Sequence, residues 1–194
     1  MVFAKRTACC AKAGYTLVEV LVVVSIMGIL SAMGVAGLQG AIANARVKDA
    51  AVNTAAFVER VANLANQRNE VLCLRIDPSN PQKILAIRDV VAKDCSDPKG
   101  SVDSMMLDSP NKYVSMAACG PVTLNWFGKT AQVAFKPRLG LSAAPPEGGV
   151  CIQYADRDVY GAVRKEKKRN KVIPMWKVNH DGTQDASWAN WTEL

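Results

Sequence analysis

The sequence is poor in the side chains that most enzymes use for acid–base and metal chemistry. It contains a single histidine, His180, among 194 residues. It has no glycine-rich phosphate loop, and no two cysteines of its later part lie at the short spacing of a zinc site. General acid–base catalysis depends most often on histidine, and no nucleophile motif accompanies this one. We therefore expect a protein that is not an enzyme and that holds no cofactor and no metal.

Charge is missing from one long stretch near the amino terminus. Nothing charged occurs in residues 20–45, whereas charges are scattered through almost everything that follows. Residues 20–38 are apolar or small apart from two serines, and a helix needs about 20 apolar residues to cross the core of a bilayer. Soluble helices seldom run this long without a polar stripe. The stretch therefore predicts a membrane helix and not a buried core helix.

The residues ahead of this stretch are basic. Lys5, Arg6 and Lys12 occur there without an acid, and Gly14 follows them. By the positive-inside rule these charges stay in the cytoplasm, so the later part of the chain should lie across the membrane. An ordinary secretory signal has its small-residue cleavage site after the apolar core, whereas Gly14 precedes it. The order of the segments therefore excludes an ordinary secretory signal.

One acid, Glu19, lies at the start of the apolar run. An unpaired carboxylate in lipid costs at least about 2 or 3 kcal/mol, so the side chain should have a partner. A carboxylate and an ammonium attract each other far more strongly at low dielectric than in water, and misplacing either leaves a buried charge uncompensated. Glu19 is therefore expected to fix the register of a helix against its neighbour. The alternative is that it only extends to the membrane interface.

The hexapeptide Gly-Tyr-Thr-Leu-Val-Glu at residues 14–19 resembles the prepilin peptidase site of the type IV pilin and type II secretion pseudopilin family. The resemblance covers about the first 40 residues, with the basic leader, the hexapeptide and the apolar helix in one register. It implies that prepilin peptidase cleaves after Gly14 and that the new amino group of Tyr15 is methylated. It also implies that Glu19 pairs with the amino terminus of a neighbouring subunit in a helical filament, which an inner-membrane platform assembles.

The same resemblance divides the chain into three parts. They are a leader at residues 1–14, a transmembrane and filament-core helix at 15–45, and a periplasmic or extracellular head at 46–194. Apolar residues three and four apart from Val47 to Leu64 continue the helix to about Gln67. Short β-like runs separated by turn formers follow. We expect an α+β, pilin-like fold in which the long amino-terminal helix packs on a small antiparallel sheet.

Eight segments of the head have the composition of strands. They are residues 71–77, 83–90, 113–117, 122–126, 131–136, 150–155, 159–163 and 172–178. The segment at 133–142, V-A-F-K-P-R-L-G-L-S, together with the strand at 150–155, is similar to the head of the GspH, FimT and FimU group of minor pilins and pseudopilins. That similarity implies a minor subunit near the tip of a type IV pilus or a type II secretion pseudopilus. The sequence does not separate these two systems.

The cysteines predict disulfides. Cys9 and Cys10 would leave with the leader, so four remain in the exported part: Cys73, Cys95, Cys119 and Cys151. Exported domains reside in an oxidising compartment, where disulfides form. Four cysteines permit three pairings. We favour Cys73 with Cys95 and Cys119 with Cys151, because both bonds close local loops.

The strongest charged feature lies between the last two predicted strands. Six basic residues surround one acid there: Arg164, Lys165, Lys167, Lys168, Arg169 and Lys171. Concentrated charge on a protruding hairpin could neutralise DNA phosphates without regard to base sequence. DNA uptake is therefore the alternative function. The plainer interpretation is a solvated turn or a contact with the acidic patch of another subunit.

Three tryptophans lie near the carboxyl end: Trp176, Trp188 and Trp191. Such side chains can stack on sugar rings or bases. Packing of the tail onto the head is the use that we expect.

Overall fold

The computed structural model describes residues 15–90, 95, 99–114, 119, 133–138, 148–165, 171–178 and 191–194. In this part of the chain one long helix, α1 (Leu17–Arg68), precedes nine strands. The chain divides into two compact units, residues 1–41 and 42–194. The expected α+β architecture, a long amino-terminal helix followed by antiparallel sheets, is confirmed.

The strands pair into two antiparallel sheets. In chain order they are β1 (Val71–Asp77), β2 (Asn80–Asp89), β3 (Ser101–Met106), β4 (Asn111–Val114), β5 (Val133–Phe135), β6 (Gly148–Tyr154), β7 (Val159–Lys165), β8 (Val172–Val178) and β9 (Thr192–Glu193). The first sheet has the order β3-β2-β1-β5, and the second has the order β4-β6-β7-β8-β9. Pro78 and Ser79 form the turn between β1 and β2, with the Asp77 carboxylate accepting a hydrogen bond from the Ser79 amide.

The main core lies between the later part of α1 and one face of each sheet. Val58 and Val61 of the helix are fully buried there, as are Leu72 of the first sheet and Ile152 of the second. This arrangement follows from the three- and four-residue spacing of apolar side chains on α1 and from the alternation of side chains along the strands. One apolar stripe of α1 therefore covers the inner faces of both sheets.

Two small residues, Gly161 of β7 and Ala51 of α1, allow the second sheet to lie close to the helix. A Cβ atom added to Gly161 of β7 would lie 2.9 Å from Val47 Cγ1, 3.0 Å from the Val47 carbonyl oxygen and 3.3 Å from Ala51 Cβ. Only glycine fits at that distance without movement of the helix. Neighbouring Trp176 of β8 lies beneath α1 as well, with the Lys48 Nζ atom 3.9 Å from its ring centroid.

One buried hydrogen bond joins α1 to β4. The hydroxyls of Thr54 and Tyr113 are 3.1 Å apart, and Thr54 also donates to the Ala50 carbonyl at 2.7 Å. Burial raises the pKa of the Tyr113 phenol, while the hydrogen bond to Thr54 opposes part of that rise. The pair fixes the register of β4 against the helix.

A second, smaller core covers the opposite face of the second sheet. It is built from buried side chains of β6, β7 and β8 with Cys119 and Trp191. Trp191 is only 7% exposed. The expected packing of the tail onto the head is therefore confirmed for Trp191, whereas Trp188 lies outside the described residues.

The strand predictions differ from the structure mainly at the ends. The segments at 71–77 and 172–178 have the observed bounds, whereas β2 begins three residues earlier and β7 ends two residues later than expected. Strand β3 was missed because Ser101–Met106 contains one β-branched aliphatic residue, Val102. Three parts of the predicted strands lie outside the described residues: all of 122–126, residues 115–117 of the candidate at 113–117, and residues 131–132 of the candidate at 131–136.

Candidate functional site

The expected processing site lies where α1 begins. Gly14 is outside the described residues, and Tyr15, at 82% exposure, precedes the helix. Thr16 is the N-cap: its hydroxyl oxygen accepts a hydrogen bond from the Glu19 amide at 3.2 Å. Its carbonyl oxygen accepts from the same amide at 3.1 Å. The helix therefore starts at Leu17, which leaves Tyr15 accessible.

The cap is a feature that the sequence interpretation missed. A Thr followed three residues later by Glu, just before an apolar run, is the signature of a capping box. Thr16 and Glu19 have this spacing. Glu19 lies in the first turn of α1, where the positive end of the helix dipole stabilises a carboxylate. Glu19 therefore supports the start of the helix whatever it contacts elsewhere.

The first part of α1 exposes its apolar side chains. The helix contains an 18-residue window that is apolar enough to cross a membrane, and none of that window is buried. Leu17 is 81% exposed and Met33 is 72% exposed. Ser25, inside this run, donates its hydroxyl to the Leu21 carbonyl at 2.8 Å, so it needs no partner outside the helix. So large an apolar surface requires lipid or other protein around it.

Four cysteines in the described part of the chain form two disulfides. Cys73 is bonded to Cys95, with Cα atoms 5.7 Å apart, and Cys119 is bonded to Cys151, with Cα atoms 6.6 Å apart. These are the two pairs that local loop closure favoured. The Cys95 amide also donates to the carboxylate of buried Asp89 at 2.7 Å, which fixes the end of the first loop. The bonds attach Cys95 to the first sheet and Cys119 to the outer face of the second.

The basic segment is divided between a strand and residues that are not described. Lys167, Lys168 and Arg169 lie outside the described residues, and Lys171 is exposed just before β8. Arg164 is half-buried within β7 and has an interaction partner.

Lys165 departs from the expected exposed tip. It is the last residue of β7, paired with Gly148 and Val172, and it is only 2% exposed. Burial lowers the pKa of its ammonium group. The sequence placed it on the tip because it adjoins other basic residues, but the side chain is buried at the end of β7. Lys165 therefore does not belong to an exposed phosphate-binding surface.

Comparison with protein families identifies the amino-terminal segment. The family model described as the prokaryotic N-terminal methylation motif matches residues 9–35. The matched residues include the hexapeptide at 14–19 and most of the exposed apolar part of α1. The match supports a type IV pilin-like protein that prepilin peptidase processes, and the apolar helix fits an inner-membrane anchor. No curated protein and no solved structure gives a significant match to the chain.

Proposed function

We propose that this chain is a minor pilin or pseudopilin. Prepilin peptidase removes residues 1–14, Tyr15 is N-methylated, and the processed subunit enters a type IV pilus or a type II secretion pseudopilus through α1. The observation that carries the proposal is the methylation motif at residues 9–35, in register with an apolar helix whose surface is uncovered. Lipid covers this surface in the stored precursor, and other subunits' helices cover it in the filament.

The position proposed for the subunit is near the tip of the filament. The support for this finer assignment is the similarity of residues 133–142 and the following strand to the GspH, FimT and FimU group. Strands β5 and β6 occupy parts of these segments. The head then works by contact with other subunits and with the assembly platform, and it has no catalytic activity of its own.

Mass spectrometry of the processed protein tests the proposal. Protein from a host with a prepilin peptidase should begin at Tyr15 and carry one added methyl group. Gly14→Val should remain uncut, because a branched side chain obstructs the approach of the peptidase to the bond before Tyr15. Ala13→Val, next to the hexapeptide, is the matched control and should be cut. An intact Met1 end on filament-incorporated protein would contradict the proposal.

DNA binding for uptake is a second candidate function. What favours it is charge concentration, because residues 164–171 hold six basic side chains against one acid in a chain whose net charge is +7. Since Lys165 is buried, the contacts would come from the residues that follow it, among them exposed Lys171. Such contacts release counterions from the phosphates and make the affinity salt-dependent.

Fluorescence anisotropy with labelled duplex DNA separates the two functions. Replacing Lys167, Lys168, Arg169 and Lys171 by Gln should weaken binding by the processed protein in detergent. The log–log slope against salt should fall by about 0.9 for each lost phosphate contact. A control variant removes the same charge elsewhere, at Arg68, Lys83, Lys136 and Arg138. Equal loss in both variants, or no binding at low salt, leaves filament assembly as the function.

A further inference from the structure

The outer edge of β3 is the longest sheet edge in the described part of the chain. The edge strands there are β3, β5, β4 and β9, and β3 has six residues whereas the others have two to four. An edge strand presents unpaired amides and carbonyls, which a strand of another chain can use for pairing. Lysine and proline often protect such edges, but β3 contains neither. Asp103 is therefore the only charged side chain that can protect this edge from within the strand.

The Ser104 amide faces the free edge. The Leu107 amide, just after β3, donates to the Gln82 carbonyl at 2.8 Å. Amides along an antiparallel strand alternate between its two sides, so every second amide from Leu107 back to Asp103 points to β2. The amides of Ser104 and Met106 therefore point away from β2.

The Asp103 carboxylate occupies one of these outward amides. Its Oδ1 atom accepts a hydrogen bond from the Ser104 amide at 2.8 Å, and its Oδ2 atom lies 2.9 Å from Nη2 of Arg60 on α1. The Arg60 guanidinium in turn lies 5.1 Å from the centroid of the Phe57 ring. Both carboxylate oxygens are thus held, and Oδ1 takes the place that the carbonyl of a further strand would need.

We propose that Asp103 closes the edge of β3 and keeps it from pairing with β3 of a second copy of this chain. The partner is a second copy, because two β3 edges related by a two-fold axis can place Ser104 opposite Ser104. Each Ser104 amide can then donate to the carbonyl of the other. While Asp103 holds the Ser104 amide, this central pair of bonds does not form. The role matters most where heads are crowded, as in the filament proposed above, but it does not depend on that function.

Asp103→Ala opens the edge and tests the proposal. Size-exclusion chromatography with light scattering, on the processed protein in detergent, should give twice the protein mass per particle of the wild type, since the freed Ser104 amide can pair. Asp103→Asn is the matched control, because it loses the same charge but keeps a side-chain oxygen that can accept from this amide, and its mass should equal that of the wild type. An unchanged mass for Asp103→Ala, or the same increase for Asp103→Asn, would overturn the proposal.

A second substitution shows whether the new contact uses the Ser104 amide. Proline has no amide hydrogen, and it is tolerated in an edge strand where the amide faces outward. Ser104→Pro added to Asp103→Ala should therefore return the mass to the wild-type value. An undiminished increase in the double variant would contradict the proposal, because the association would then not need this donor.

Hydrogen exchange of the processed wild-type protein tests the same contact without a substitution. After correction for intrinsic rates, the Ser104 amide should exchange about tenfold more slowly than the Met106 amide, since a bond to a charged acceptor protects it. Met106 faces the same edge, and its amide has no hydrogen bond in the described part of the chain. Equal rates at the two positions would overturn the proposal even if Asp103→Ala did not fold.

Discussion

At the scale of single residues, Glu19 shows how two roles can coincide in one side chain. The family resemblance assigns it to docking between subunits, and the structure places it in the first turn of a helix capped by Thr16. The two roles need different properties. Either Glu or Gln at this position can complete the capping box, whereas docking needs the negative charge of Glu.

Replacing Glu19 by Gln separates these roles. Glu19→Gln keeps an amide that can serve the capping box, so cleavage after Gly14 and helix content should remain normal. Filament incorporation should fall sharply, since the charge partner of the neighbouring amino terminus is gone, and Glu19→Ala should behave likewise. Immunoblots of sheared filament fractions measure incorporation. Ser25→Ala, which removes only an internally bonded hydroxyl, is the control, and wild-type incorporation of Glu19→Gln would show that docking does not use the charge.

Tyr113 is expected to make stability fall at high pH. A tyrosine in an unfolded chain ionises near pH 10, whereas burial keeps the folded phenol protonated to higher pH. The contribution of this raised pKa to the free energy of unfolding is therefore fully present below about pH 10 and is lost as the pH rises further. Tyr113→Phe should cost about 1 kcal/mol at pH 7, because the bond to Thr54 is lost, and should flatten the decline above pH 10.

Urea unfolding between pH 7 and pH 11 measures this effect. Part of the decline should persist in the variant, because burial, followed by the charge of Asp158, also raises the pKa of Tyr160. Tyr15→Phe is the control, since Tyr15 is exposed. An unchanged pH profile for Tyr113→Phe would show that this phenol does not determine alkaline stability.

At the scale of secondary-structure elements, the contact between α1 and β7 depends on small residues. Gly161→Ala should destabilise the protein by about 1–3 kcal/mol, because the added Cβ would overlap Val47 and lie against Ala51. Thermal unfolding followed by circular dichroism measures the loss. Gly34→Ala is the matched control, since nothing lies within 4 Å of a Cβ atom there and alanine favours a helix. Equal stability of the two variants would mean that the helix can move away from the sheet at little cost.

At the scale of the whole molecule, each of the two disulfides lies in a small buried cluster beside the main core. Each closes a loop, with sequence separations of 22 and 32 residues. Replacing Cys119 and Cys151 together by Ser should cost about 2–5 kcal/mol, because the unfolded chain regains the conformations that the bond removes. The smaller core should loosen first, since both cysteines belong to it.

Peptide mapping under non-reducing conditions checks the pairing in native material. It should recover the Cys73 peptide with Cys95 and the Cys119 peptide with Cys151, and alkylation should find no free thiol among them. Cys9→Ser, in the leader, should change neither the map nor the urea midpoint. Two or more alkylatable thiols would contradict the disulfides.

The sequence by itself determined the features that depend on local pattern. The apolar run, the basic leader and the hexapeptide are contiguous, so this part of the chain specifies a family motif and a helix apolar enough to cross a membrane without help from the rest of the chain. Periodicity of three and four fixed the continuation of α1 almost to its observed end at Arg68. The bounds of the strand Val172–Val178 were predicted correctly, because its β-branched residues favour a strand and are adjacent in the sequence.

Only the tertiary structure decided which residues come together across the chain. The sequence grouped Lys165 with its basic neighbours on the tip of a hairpin, but the side chain is buried at the end of β7, and no local pattern indicated that burial. The division of the strands into two sheets likewise depends on the packing of both sheets against one apolar stripe of α1. The buried Asn111 side chain donates a hydrogen bond to the Arg46 carbonyl, 65 positions earlier in the chain. These features depend on long-range packing, which individual segments do not specify.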